Sequence, residues 1–136
     1  MKTYNLFISH SWRHGDQYSR IYRLLRNRRY FAFRDYSVPQ HDPVHNADNA
    51  TQLRRAIRNQ MAPCHAVLIL AGVYATYSKW INIEIDLAKK GFTREKPIIA
   101  IRPRGSQRIS RPVRDVADRI VGWNTESIVA AIRELG

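Results

Sequence analysis

Cysteine is almost missing: Cys64 is the only one in 136 residues. One thiol forms no intramolecular disulfide and no Cys-based zinc cluster, which fits a reducing compartment and predicts a cytoplasmic protein. Long apolar runs are missing too. The most hydrophobic stretch, residues 66–75, is about half the ~20 residues a membrane span requires. The first residues hold only a short apolar patch before Ser9, unlike a secretory signal, so no membrane crossing is expected. Acidic residues are few, 11 against 23 Lys and Arg, for a net charge of +12. The 18 arginines are spread over most of the chain. No zinc-finger spacing, basic heptad helix or aromatic RNA-binding signature accompanies them, so solvated helix faces are expected and nucleic acid is not. The six glycines form no phosphate loop of the Walker type and no GxSxG elbow. A receiver domain is excluded because Ser9 and His10, rather than acids, follow the first apolar run.

What is present is a chain of one-domain length, residues 1–136, with 44% hydrophobic residues. Apolar runs alternate with helical periods, the pattern of repeated βα units. Strands are expected at residues 4–9, 30–34, 65–71, 97–101 and 119–122. Helices are expected from Asp16 to about Arg28, over 52–60, from Ser78 to about Lys90, over 113–118 and over 126–135. The run after His65 reads as the sheet centre, because parallel strands buried on both faces are continuous in Val, Ile and Leu. The expected fold is α/β, a flavodoxin-like three-layer sandwich with a parallel sheet of about five strands.

Open α/β sheets bind ligands beyond the carboxyl ends of their strands. Residues 9–15, 36–45, 72–77 and 102–111 are expected on that edge, with Cys64 on the opposite one. Cys64 and His65 are consecutive in extended chain, where side chains alternate, so they make a poor nucleophile pair. His10 with His14, and His41 with His45, have i, i+4 spacing, but Gly15, Pro39 and Pro43 argue against the helices that would make it a metal site. No metal is expected.

The third helix holds the most informative residue. At ~100° per residue from Trp80, Ile83, Leu87, Ala88, Ile81 and Ile85 lie at about −60°, −20°, 80°, 100° and 140°. Glu84 lies at about 40°, inside that apolar arc. A carboxylate there is costly unless it is paired or faces a cavity. Two explanations stand at this point: Glu84 pairs with one of the many arginines, or it lines a cleft with Trp80. A cleft carboxylate suits a site that holds a ribose hydroxyl and stabilises positive charge at an anomeric carbon as a glycosidic bond breaks.

Three segments carry a family resemblance. Tyr4-Asn5-Leu6-Phe7-Ile8-Ser9-His10-Ser11 resembles the opening strand of TIR domains, and Arg34-Asp35-Tyr36-Ser37-Val38-Pro39 resembles their second motif. Ser78-Lys79-Trp80-Ile81-Asn82-Ile83-Glu84-Ile85 is similar to the helix that carries the glutamate of TIR enzymes. The segments Tyr36-Ser37-Val38-Pro39, Ala71-Gly72-Val73-Tyr74 and Val121-Gly122-Trp123-Asn124 look more like the bacterial TIR-like proteins of the Thoeris anti-phage system than like animal adaptors. The resemblance implies the TIR fold, cleavage of NAD at the nicotinamide-ribose bond, and conversion of the ADP-ribosyl unit into a cyclic or conjugated signal sensed by a separate effector. NAD is then a substrate, and no cofactor is needed. Glu84 takes the catalytic position. Ser9, His10, Trp12, Tyr36, Tyr74 and Trp80 become cleft candidates, and Arg102 and Arg104 candidates for the pyrophosphate. Self-assembly through TIR contacts is expected. A noncatalytic interaction module and a nucleoside deoxyribosyltransferase-like enzyme are the alternatives.

Overall fold

The computed structural model describes residues 2–9, 17–37, 50–71, 79–103 and 109–136, without the side chains of Ala50, Lys79 and Trp80. Five strands alternate with five helices: β1 (Thr3–Ile8), α1 (Gln17–Arg26), β2 (Ala32–Asp35), α2 (Ala50–Met61), β3 (Ala66–Leu70), α3 (Lys79–Lys90), β4 (Ile98–Ile101), α4 (Arg111–Val116), β5 (Arg119–Val121) and α5 (Thr125–Leu135). All neighbouring strands are parallel, in the order β2-β1-β3-β4-β5. The chain reverses direction across the sheet between β1 and β3, which makes their carboxyl ends the switch point.

Strand alternation divides the core. Leu6, Ile8, Leu68, Leu70, Ile99 and Ile101 meet Ile21 and Leu25 of α1 and Ile128 and Ile132 of α5. Phe7, Val67, Ile69, Ile98 and Ala100 meet Ile57 of α2, Ile81 and Leu87 of α3 and Val113 of α4. The sheet is thus covered on both faces, and all five residues of β3 are buried, as its unbroken apolar run requires. The outer strands, β2 and β5, are short and carry Arg34 and Arg119, which discourages edge-to-edge pairing.

Local chemistry explains several boundaries. Asn124 caps α5, its side chain accepting from the Ser127 N–H at 3.0 Å. α3 closes at Gly91, where a Cβ would lie 2.7 Å from the Leu87 carbonyl. Two expectations need correction. Tyr30 was expected to open the second strand, but it lies in the turn before β2 with φ 60°. Asp118 was expected in the fourth helix, but it lies beyond α4, where its carboxylate accepts from the Ile98 N–H and pairs with Lys89.

Candidate active site

Three buried residues are polar or charged among those described: Ser9, Glu84 and Ser110, each at most 3% exposed. Each belongs to an element that begins or ends at the carboxyl edge of the sheet. Ser9 follows β1 and donates its N–H to the Leu68 carbonyl at 2.9 Å, extending the β1–β3 ladder at the switch point. Alternation from Phe7 assigns Ser9 to the face covered by α2, α3 and α4. Ser110 donates its N–H to the Ala71 carbonyl at 3.0 Å, which fixes it beside the end of β3. It occupies the N-cap position of α4, yet its hydroxyl does not cap that helix.

Glu84 is fully buried in the second turn of α3. Ile81, Leu87 and Ala88 are the other buried positions of that helix, so Glu84 lies in the middle of a stripe at i−3, i+3 and i+4. Ile83 and Ile85 flank the stripe and are half-buried, while Asn82 is exposed. This pattern matches the angular arithmetic. Burying a carboxylate in this way works against folding unless polar partners offset its lost hydration. A position of that kind is where reactive carboxylates are found.

Tyr36 leaves β2 on the same face. Its N–H donates to the Leu6 carbonyl at 2.9 Å, and its ring packs against the core beneath α2 and α3. The chain around it is anchored from the other face. Asp35 accepts from the Tyr18 hydroxyl, from the Ser37 hydroxyl and, at 2.8 Å, from the Ser37 N–H. The Tyr18 and Ser37 hydroxyls are also 3.1 Å apart. Asp35 therefore ties α1 to the start of the segment after β2 and holds Tyr36 between two fixed neighbours. An open depression of about 470 Å³ lies on this α1 side, lined by Tyr18, Ser19, Tyr22, Arg23 and Asp35. It is separated by the sheet from the Glu84 face.

Arg102 continues the β4–β5 ladder, donating its N–H to the Val121 carbonyl at 2.9 Å, and its side chain is exposed at the same edge. The structure thus brings Ser9, Tyr36, Glu84 and Arg102 to one edge. His10, Trp12, Tyr74 and Arg104 lie outside the described residues, as do the paired histidines; Trp80 is placed in α3 by its backbone alone. Among the described residues no His, Cys, Asp and Glu cluster could hold a metal ion.

Cys64 sits at the opposite edge, ahead of β3. Burial pushes its thiol up to about 12, with Lys96 opposing and Asp35 reinforcing that shift. A thiol held protonated is a poor nucleophile. His65 turns its Nδ1 to the Asn5 N–H at 2.8 Å, a structural bond.

Ser110 is a buried polar residue at the carboxyl edge that sequence reasoning did not single out. Its signal was available: a serine before Arg111 and Pro112 at the mouth of a helix has the form of an N-cap followed by first-turn proline. The short helix was expected to begin at Val113, which left Ser110 in a loop. The bond from Tyr18 to Asp35 likewise crosses between elements and has no local signal in the sequence.

The family model described as Thoeris protein ThsB, TIR-like domain, matches residues 7–108, three quarters of the chain. The chain belongs to the ThsB TIR-like family. The matched span includes Ser9, Tyr36, Glu84 and Arg102, whereas Ser110 lies just beyond it. No curated protein matches the chain. The α/β fold with its five-stranded parallel sheet is consistent with a ThsB TIR-like domain, and the chain is accordingly a TIR-domain protein of the Thoeris defence family. No helix among the described residues is long and apolar enough to cross a membrane.

Proposed function

We propose that this ThsB TIR-like protein cleaves NAD at the nicotinamide-ribose bond and converts the ADP-ribosyl unit into a cyclic or conjugated nucleotide signal for anti-phage defence. The observation that carries this reading is the complete burial of Glu84 at the centre of the α3 stripe, in the segment resembling the helix of the TIR glutamate. In the reaction the carbon–nitrogen bond breaks with its electron pair moving to the pyridine nitrogen, so nicotinamide leaves neutral. The Glu84 carboxylate holds a ribose hydroxyl and stabilises the oxocarbenium-like charge left at the anomeric carbon. Tyr36 offers a ring for stacking, and Arg102 a cation for the pyrophosphate. A nucleophile other than water then attacks the anomeric carbon, which requires that water be kept out and that nucleophile be held close.

The reading needs no resident cofactor: NAD is substrate, and the product acts on a separate effector protein. The test is incubation of NAD with the wild-type protein and Glu84→Gln at high protein concentration, with and without lysate of phage-infected cells. Every adenine-containing product is followed by mass spectrometry. Glu84→Gln keeps size and hydrogen-bonding capacity but removes the charge, so turnover should fall on the order of a hundred-fold or more while circular dichroism stays native. Full turnover by the folded variant would show that Glu84 has only a structural role. No turnover by either folded protein would favour an interaction module or a nucleoside substrate instead.

A further inference from the structure

Residues 17–34 contain six arginines, Arg20, Arg23, Arg26, Arg28, Arg29 and Arg34, and no acidic residue. Along the sequence this looks like one stretch of a generally basic chain. The fold makes it a continuous surface: α1, the following turn and edge strand β2. Most aromatic rings in the segment are internal to it. Tyr18 stacks on Tyr22, Tyr22 meets Phe33 edge-on, and Phe31 stacks on Phe33.

Tyr30 differs from all of them. It is 79% exposed, the only large hydrophobic side chain so exposed among the described residues. Its φ of 60° lies in the left-handed region, where glycine or asparagine would sit with less strain than tyrosine. The turn does not need this ring, and the core does not use it. The backbone beneath it is nonetheless fixed. Arg28 donates to the Arg29 carbonyl, and Arg133 from α5 donates to the Tyr30 carbonyl at 2.5 Å. Glu126 pairs with Arg28 at 2.7 Å. Among the described residues no carboxylate pairs with Arg29 or Arg133, and both are exposed.

We propose that this face binds single-stranded nucleic acid, with a base stacked on Tyr30 and backbone phosphates on Arg29 and Arg133. An exposed ring on a rigid backbone calls for a flat π-surface, and exposed guanidiniums beside it call for repeated anions. A single strand supplies both in one ligand, whereas a duplex hides its base faces and an acidic peptide leaves the strained ring without a role. The face lies at the amino-terminal edge of the sheet, opposite Glu84, so the proposal stands apart from the NAD reading.

The test titrates a fluorescein-labelled oligothymidine of about 20 nucleotides, a probe that stays unpaired, into the full chain at several salt concentrations, with heparin as a charged polymer lacking bases. Tyr30→Gly removes the ring and relieves the backbone. It should keep or raise the melting temperature while weakening oligonucleotide binding on the order of ten-fold, and it should leave heparin binding unchanged. Arg29→Ala should flatten the salt dependence by the equivalent of about one phosphate contact. Glu84→Gln should bind like the wild type. Absence of binding at low salt overturns the proposal. So does binding that Tyr30→Gly leaves intact, which would make the face a purely electrostatic one suited to an acidic protein or an anionic membrane.

Discussion

His65 shows how a single side chain links charge to folding. Its Nδ1 accepts from the Asn5 N–H, so the imidazole must be unprotonated at that nitrogen for the bond to exist. Burial, then Lys2 and Lys96, lower its pKa below the ordinary 6.5. The unfolded chain therefore binds this proton more readily than the folded one, and stability rises with pH through the window. The contribution is complete above about pH 6.5 and is lost as pH falls through the lower folded value. Urea titrations between pH 5 and 7.5 should show wild-type stability falling towards acid. His65→Asn offers an oxygen acceptor that does not titrate, and its stability should fall less over the same range. An identical slope for both proteins would remove His65 as the cause. Glu84 poses the same problem with a different use: a group able to carry charge occupies a place that hydrophobic packing alone would give to Leu or Ile.

Elements hold the candidate site in place from both faces of the sheet. Tyr18 belongs to α1 and Asp35 ends β2, so the hydroxyl-carboxylate bond joins two layers next to the segment that carries Tyr36. Tyr18→Phe keeps the ring stack with Tyr22 but removes that bond and the contact with Ser37. It should cost about 1.5–3 kcal/mol in urea unfolding, with the denaturant slope unchanged, because hydrogen bonds to charged groups lie in this range. If Tyr36 stacks against NAD, the same variant should raise KM more than it lowers kcat, since the carboxylate on α3 is untouched. A lower kcat at unchanged KM would place the coupling elsewhere. α3 itself is set by β3 before it and by Gly91 after it, where no side chain fits without moving the Leu87 carbonyl.

For the whole molecule, the sheet separates two surfaces of different character. The carboxyl edge gathers buried polar groups, and the amino edge near β2 gathers arginine and an exposed tyrosine. A net charge of +12 gives the whole protein a field that attracts anionic ligands, NAD included, and that field weakens as salt rises. Making a cyclic or conjugated product requires that water be kept from the reactive intermediate, a task that a second copy packed on the carboxyl edge would perform. We therefore expect NAD turnover per molecule to rise with protein concentration. Specific activity measured across a dilution series, alongside sedimentation to report the assembled fraction, checks this. Full specific activity in a dilute monomer would show that one copy completes the site.

Periodicity alone determined the layered α/β fold, the ten elements and the buried position of Glu84. Those signals are local: a run of Val, Ile and Leu, or an acid at 40° on an apolar arc, needs only the strand and helix repeats to be interpreted. The boundaries of all ten elements lie within about two residues of those expected, whereas the bonds of polar residues to partners far along the chain have no local signal. Asp118 reaches the Ile98 N–H, Asp35 reaches Tyr18, and Ser110 reaches Ala71, and no local pattern announces those bonds. Tyr30 was read as strand because an aromatic beside Phe31 favours extended chain, yet the turn out of α1 imposes a positive φ on it. The sequence carried the chemistry of each residue and the repeat that buries it. The tertiary structure alone decided which of those residues share an edge, because strand order brings β1 beside β3, and this adjacency arises only when separate βα units stack into one sheet.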